Sequence, residues 1–289
     1  MHIFALGDVG SMLLTGLKLL GQDCIEEIGI YDVRPEVCKR FEFEMNQISV
    51  PWDYKRLPRV SIISHEQLFD CDVFIFCASL RVPAVGEAVS DVRMAQYEVN
   101  KKLVREIAEM GAAKGFQGLY AQVSDPVDPL CRVAVSAGLS GAQVKGFGLG
   151  VMNARAAYYA QQEERFSHFL HEGAAFGPHG RELVIADSLN NYNHELSLAL
   201  TELTVHANLD MRAIGFKPYI APAISSGALS LIRMMRGEWH YSSSYMGDIF
   251  FGAKCRVTRQ GLEVADPPLP GKLFDRIQFA WRQLQHIPV

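Results

Sequence analysis

Over about its first 125 residues the chain alternates short apolar runs with amphipathic stretches, and this rhythm restricts the fold more than any other feature. Phe4-Ala-Leu reads as a strand and Ser11 to Leu20 as a helix. Glu27 to Asp32, Val60 to Ile63, Asp72 to Ala78 and Gly118 to Ser124 read as further strands. Pro35 to Gln47 reads as a helix with proline in its first turn, and Asp91 to Ala113 as a longer one. Strands this uniformly apolar, separated by helices, need a parallel sheet covered on both faces. After the Asp125-Pro126 step the rhythm changes. Helical patterns cover 150–170, 193–214 and 220–236, short strands fall near Glu182 to Ala186 and Ile249 to Val257, and an amphipathic helix runs from Leu273 to Gln285.

The first strand turns into the first helix through Ala5-Leu-Gly7-Asp8-Val9-Gly10, a GxGxxG pattern whose first glycine is alanine. At such a turn Gly7 lets the backbone approach a pyrophosphate and Gly10 lets helix and sheet pack closely. The helix N-terminus then faces the anion with free N–H groups. Asp32 ends the next strand, where a carboxylate accepts from the adenosine ribose hydroxyls and repels a 2′-phosphate. NAD is therefore expected over NADP, and Arg34, two positions on, softens that preference. Taken alone the turn also suits another doubly wound fold in which Asp32 only caps a helix. The combination predicts an α/β chain: a Rossmann-type doubly wound parallel sheet over 1–126 that binds NAD, and a second, mixed α+β substrate domain over 127–289. The cofactor residues expected are Gly7, Asp8, Val9, Gly10, Asp32, Ala78 and Ser124.

Composition excludes several classes. Lys and Arg number 28 against 32 Asp and Glu, for a formal charge of −4, and no basic run stands out, so no nucleic-acid partner is expected. No apolar stretch approaches the roughly 18 residues of a membrane span, and the strand-like residues directly after Met1 do not read as a leader. The 6 cysteines form no CxxC pair and no histidine cluster has metal spacing, so no metal site and reduced thiols in the cytoplasm are expected.

Four further segments, in order, resemble the lactate/malate dehydrogenase family. Arg93-Met-Ala-Gln-Tyr-Glu-Val-Asn100 is similar to the family's mobile-loop arginine and the asparagine on the helix behind it. Ser124-Asp-Pro-Val-Asp128 resembles its Asn-Pro-Val-Asp segment. Gly150-Val-Met-Asn-Ala-Arg155 resembles the segment bearing its carboxylate-binding arginine, and Gly177-Pro-His-Gly180 its Gly-Glu-His-Gly turn. His240 to Tyr245 and the strands from Gly252 to Gly261 extend the likeness over almost the whole chain. The resemblance implies an NAD-dependent oxidoreductase that interconverts a small 2-oxo acid and its 2-hydroxy acid, as a homodimer or homotetramer. It also implies a cis Asp125-Pro126 bond. His179 would exchange the proton, since imidazole gains and loses one near neutral pH. Arg155 would clamp the carboxylate in a bidentate fork, and Arg93 would polarise the carbonyl. Asn100, Arg81 and Ile220 complete the expected substrate contacts. Arg81 could reach a second carboxylate or remain a solvated loop cation. Ile220 could exclude a large substituent or touch an apolar one.

Two departures bear on the chemistry. The family's histidine-orienting aspartate is replaced by Met152, and its carbonyl-binding asparagine by Asp125. An imidazolium at 179 then needs a carboxylate from elsewhere, and Asp125 is the candidate, unless it merely caps the following helix. An anion beside the reacting carbon also opens an imine or amino-acid-type reductase on the same scaffold, and loss of the aspartate opens a non-catalytic dinucleotide-binding protein.

Overall fold

A computed structural model describes residues 1–80 and 92–289, with side chains of the second stretch from residue 96 onward. The first half consists of β1 (His2–Phe4), α1 (Asp8–Leu20), β2 (Glu27–Tyr31), α2 (Pro35–Gln47), β3 (Arg59–Ile62), β4 (Val73–Phe76), α3 (Val92–Ala113), β5 (Leu119–Gln122), α4 (Val127–Ser136) and β6 (Val144–Gly146). There follow α5 (Leu149–Gln162), α6 (Phe169–Glu172), the hairpin strands β7 (Ala174–Phe176) and β8 (Val184–Ala186), and α7 (His194–Ala213). A π-helical segment, Pro222–Leu229, leads into α8 (Ser230–Met235), then β9 (His240–Tyr245), β10 (Phe250–Thr258), β11 (Gly261–Val264) and α9 (Gly271–Gln285).

Six strands run parallel in the order β3-β2-β1-β4-β5-β6, the doubly wound order expected for a dinucleotide fold. The same sheet continues antiparallel through β9, β10 and β11, so among the described residues one sheet of 9 strands underlies both halves. The apolar strands are two-sided. On β4, Ile75 joins a core with Leu13, Leu14 and Leu17 of α1, while Phe74 and Phe76 join another with Val104 of α3 and Leu130 of α4. That period of two, with all four β4 residues buried, is what helices on both faces require.

The second half departs from its sequence pattern in places. The helical reading of 150–170 breaks after Gln162 into a 3-10 turn and the short α6. The helix read over 220–236 begins as π-helix, packed between α1 and α5. There the Ser226 Oγ donates to the Gly148 carbonyl and accepts from the Val151 N–H, both at 2.7 Å. Apolar periodicity overlooked β6, β7 and β11, each three or four residues long.

Among the described residues no helix is long and apolar enough to cross a membrane.

Candidate active site

A cavity of about 820 Å³ opens at the carboxyl ends of β1, β4 and β5, where the parallel strand order reverses. Its floor is the turn from β1 into α1. Ala5 has φ +77°, the left-handed conformation that glycine adopts freely and an alanine adopts at a cost of roughly 1–2 kcal/mol. The Ala5 carbonyl oxygen lies 2.1 Å from where a Cβ on Gly10 would fall, so only glycine fits there. Gly7 differs: its φ of −72° suits any residue, but a Cβ would project into open space within the cavity. No side chain caps α1, which leaves its first N–H groups aimed from Gly7, Asp8 and Val9 at the cavity these residues line. Gly10 is buried and acts through packing alone.

Asp32 also lines the cavity, yet its carboxylate is already occupied. Oδ2 accepts from the Leu6 N–H (2.9 Å) and Arg34 Nη2 (3.2 Å), and Oδ1 from the Arg34 N–H (3.0 Å) and Nε (2.9 Å). Burial works to raise this carboxyl, but the bonds from Arg34 and Leu6 outweigh it and hold it below its ordinary value. Ala78 and Ser124 sit on the wall, and the buried Gln122 fixes Ser124 by donating to its Oγ (2.9 Å).

At the other end of the cavity His179 and Asp125 meet, with 3.0 Å between Nδ1 and Oδ1. Asp125 does not cap α4. That helix begins at Val127 after a cis Asp125-Pro126 bond, with no side-chain cap, and the carboxylate turns to the imidazole instead. His179 follows β7 in a turn that starts at Gly177, whose φ of +89° favours glycine. Its backbone N–H donates to Asp128 Oδ2 at 3.3 Å, and its ring packs on Gly148, where a Cβ would come within 2.7 Å of the His179 Cβ. Arg155, on α5, lines the same cavity, its Nη1 3.5 Å from the Met152 sulfur. Met152 itself is fully buried among Leu149, Val151 and Leu200. The carboxylate missing at 152 is thus supplied from the loop after β5.

Two expectations change, and two lie outside the described residues. Asn100 is buried and does not line the cavity. Its Oδ1 accepts from the Leu80 N–H (3.0 Å) and its Nδ2 donates to the Asp125 carbonyl (3.1 Å) and the Ser79 Oγ (3.4 Å), so it braces the Asp125 loop with both amide donors engaged. Ile220 is 57% exposed and does not line the cavity, while its neighbour Tyr219, in the loop just before the helix, does. Arg81 and the side chain of Arg93 lie outside the described residues.

Asp128 is the residue that sequence reasoning passed over. It is 2% exposed, accepts from the Ser243 hydroxyl through Oδ1, and holds the His179 N–H through Oδ2. Burial pushes its carboxyl up to about 6 against the lowering effect of those two bonds. Its partner Ser243 arrives on β9 from a distant part of the chain, a pairing that no local pattern announces.

No family model matches the sequence. An L-lactate dehydrogenase of Mesomycoplasma hyopneumoniae is 28% identical over 201 residues, 68% of this chain and 60% of that protein. The match therefore spans less than two thirds of that relative's length. An L-lactate dehydrogenase of Macrococcus caseolyticus is 25% identical, over 91% of this chain and 88% of its own. The chain is thus similar, at low identity, to L-lactate dehydrogenases. Solved lactate/malate dehydrogenase structures share the fold. The minor L-lactate dehydrogenase of Enterococcus mundtii superposes with a TM-score of 0.79 at 18% identity, over 98% of this chain and 95% of that one. The malate dehydrogenase of Archaeoglobus fulgidus in complex with NADH gives 0.79 at 16% identity, over 99% and 97%. Set against the family motifs that its sequence resembles, the chain has the histidine and the α5 arginine, and the histidine meets a carboxylate from the loop after β5.

Proposed function

We propose that this chain is an NAD-dependent oxidoreductase that interconverts a small 2-oxo acid and its 2-hydroxy acid. One observation carries the reading: the His179–Asp125 pair, Arg155 and the Gly7 turn line a single cavity. The donor set there fits a dinucleotide. An uncapped helix N-terminus suits a pyrophosphate, a Cβ-free approach lies at Gly7, and a carboxylate ends β2. When bound, the dinucleotide supplies or accepts the hydride. The protein's own groups do the rest. Arg155 presents a planar fork that can hold a carboxylate through two parallel bonds and so fix the adjacent carbon. With Nδ1 turned to Asp125, His179 presents Nε2 to the cavity for proton exchange with the substrate oxygen. Asp125 holds the ring's tautomer and orientation. Asp128 and Asn100 position these two from behind, through the His179 N–H and the Asp125 carbonyl.

The pairing spends the Asp125 charge on the imidazole, which removes the electrostatic reason to favour an imine substrate. In keeping with the family, the protein would act on a small molecule in the cytoplasm as a homodimer or homotetramer. Arg93 and Arg81 remain candidates for polarising the carbonyl and for contacting a second carboxylate.

The test is to titrate the protein with NADH by fluorescence, then follow NADH oxidation over a panel of 2-oxo acids, with and without ammonia. Saturable binding is expected, with turnover that needs no ammonia and is lost in His179→Ala. Turnover only with ammonia, or binding with no turnover on any 2-oxo acid, would overturn the proposal.

A further inference from the structure

We infer that Arg34 tunes the dinucleotide selectivity of this cavity, and that the chain, NAD-dependent as proposed above, also accepts a dinucleotide bearing a 2′-phosphate. The inference rests on the reading of the cavity as a dinucleotide site. A carboxylate offers about four acceptor positions, two on each oxygen. On Asp32 all four are filled: two by the backbone N–H groups of Leu6 and Arg34, and two by Nε and Nη2 of the Arg34 guanidinium. The backbone donors belong to the β1 turn and the start of α2 and stay in place. A ribose bearing two free hydroxyls needs acceptors, and on Asp32 it gains them only by displacing the guanidinium. Displacement breaks two charge-assisted bonds and leaves the Asp32 side chain, itself 4% exposed, with fewer partners.

A 2′-phosphate has the opposite requirement. It brings acceptors and needs donors. A guanidinium carries five N–H donors. Two of them point at Asp32, so about three remain, and the Arg34 side chain, next to the lining residues Asp32 and Val33 though not itself among them, is 55% exposed. The phosphate can therefore be received with the Arg34–Asp32 pair intact. Because Arg34 already balances the Asp32 charge, the repulsion by which a bare carboxylate rejects a 2′-phosphate is largely cancelled. The exposed arginine thus opposes the plain ribose and assists the phosphorylated one.

The experiment measures dissociation constants for NADH and NADPH by fluorescence titration, at one fixed ionic strength, for the wild-type protein and Arg34→Ala. The wild type is expected to bind the two within about tenfold of each other. In Arg34→Ala, NADPH loses its donor and NADH gains free access to Asp32, so the ratio shifts toward NADH by at least about tenfold, the order of one charge-assisted hydrogen bond. A wild-type preference for NADH beyond tenfold, or a shift in the variant below tenfold, overturns the inference while leaving the dinucleotide site standing. Failure of the wild type to bind either nucleotide overturns the site and the inference together.

Discussion

Replacing Asp128 by asparagine should stabilise the protein at neutral pH while leaving it unchanged in acid. The Asp128 carboxyl is raised to about 6, first by burial, with the bonds from Ser243 and His179 only partly offsetting it. In the unfolded chain an aspartate titrates near 4. Below about pH 4 both states carry the proton, and the group contributes nothing to the difference. Between about pH 4 and 6 the folded chain keeps a proton that the unfolded chain has released, so stability falls by about 1.4 kcal/mol per pH unit. Above pH 6 the loss levels off near 3 kcal/mol, two units' worth. Asparagine carries no charge at any of these values. Its Oδ1 can still accept from the His179 N–H, and its amide can donate to the Ser243 hydroxyl, so the local bonds survive in number. Asp128→Asn should therefore gain about 2–3 kcal/mol at pH 7.5, or roughly 5–10 °C in Tm, and match the wild type near pH 4. Urea unfolding of both proteins across pH 4 to 8, at one protein concentration, reads the difference directly. A difference that does not grow with pH, or an asparagine variant less stable at pH 7.5, would refute the account of Asp128 as a buried, costly carboxylate.

The proposed catalytic pair and the rest of the cavity give three more expectations. Asp125→Asn no longer presents a carboxylate to the imidazole, so turnover should fall at least about 100-fold while NADH affinity stays within threefold; turnover near the wild-type value would remove Asp125 from the mechanism. Restoring the family's aspartate, as Met152→Asp, buries a carboxylate in an apolar cluster whose histidine already has a partner. It should cost at least about 2 kcal/mol in denaturant unfolding and leave turnover no higher, and a faster enzyme would show that Asp125 is a poor substitute. In Gly10→Ala the new Cβ would meet the Ala5 carbonyl, so NADH affinity should drop more than about tenfold and the melting temperature should fall. Unchanged binding and melting would mean that the turn is looser than its geometry indicates.

The sequence by itself determined the scaffold. Runs such as Val73-Phe-Ile-Phe76 are apolar on both faces and fit only a strand covered on both sides, and the turn from Gly7 to Gly10 joins a strand to a helix at the spacing a pyrophosphate needs. The resemblance of its motifs, taken in order, also grouped His179, Asp125 and Arg155, and all three line one cavity. Only the tertiary structure decided which atoms meet. Asp125 could equally have capped α4, and the loop geometry turned it to His179. Asn100 could have faced substrate, and proves to brace the Asp125 loop. Tyr219 and Ile220 differ by one position where a loop enters a helix, which is enough to exchange a lining residue for an exposed one. Asp128 depends on Ser243 from a strand far along the chain, and β9 is a run of serines that no hydrophobic pattern marks as buried. The physical reason is the same in each case. Periodicity records which face of an element is apolar, whereas a polar side chain's role depends on its orientation and on partners that only folding brings within 3 Å or so.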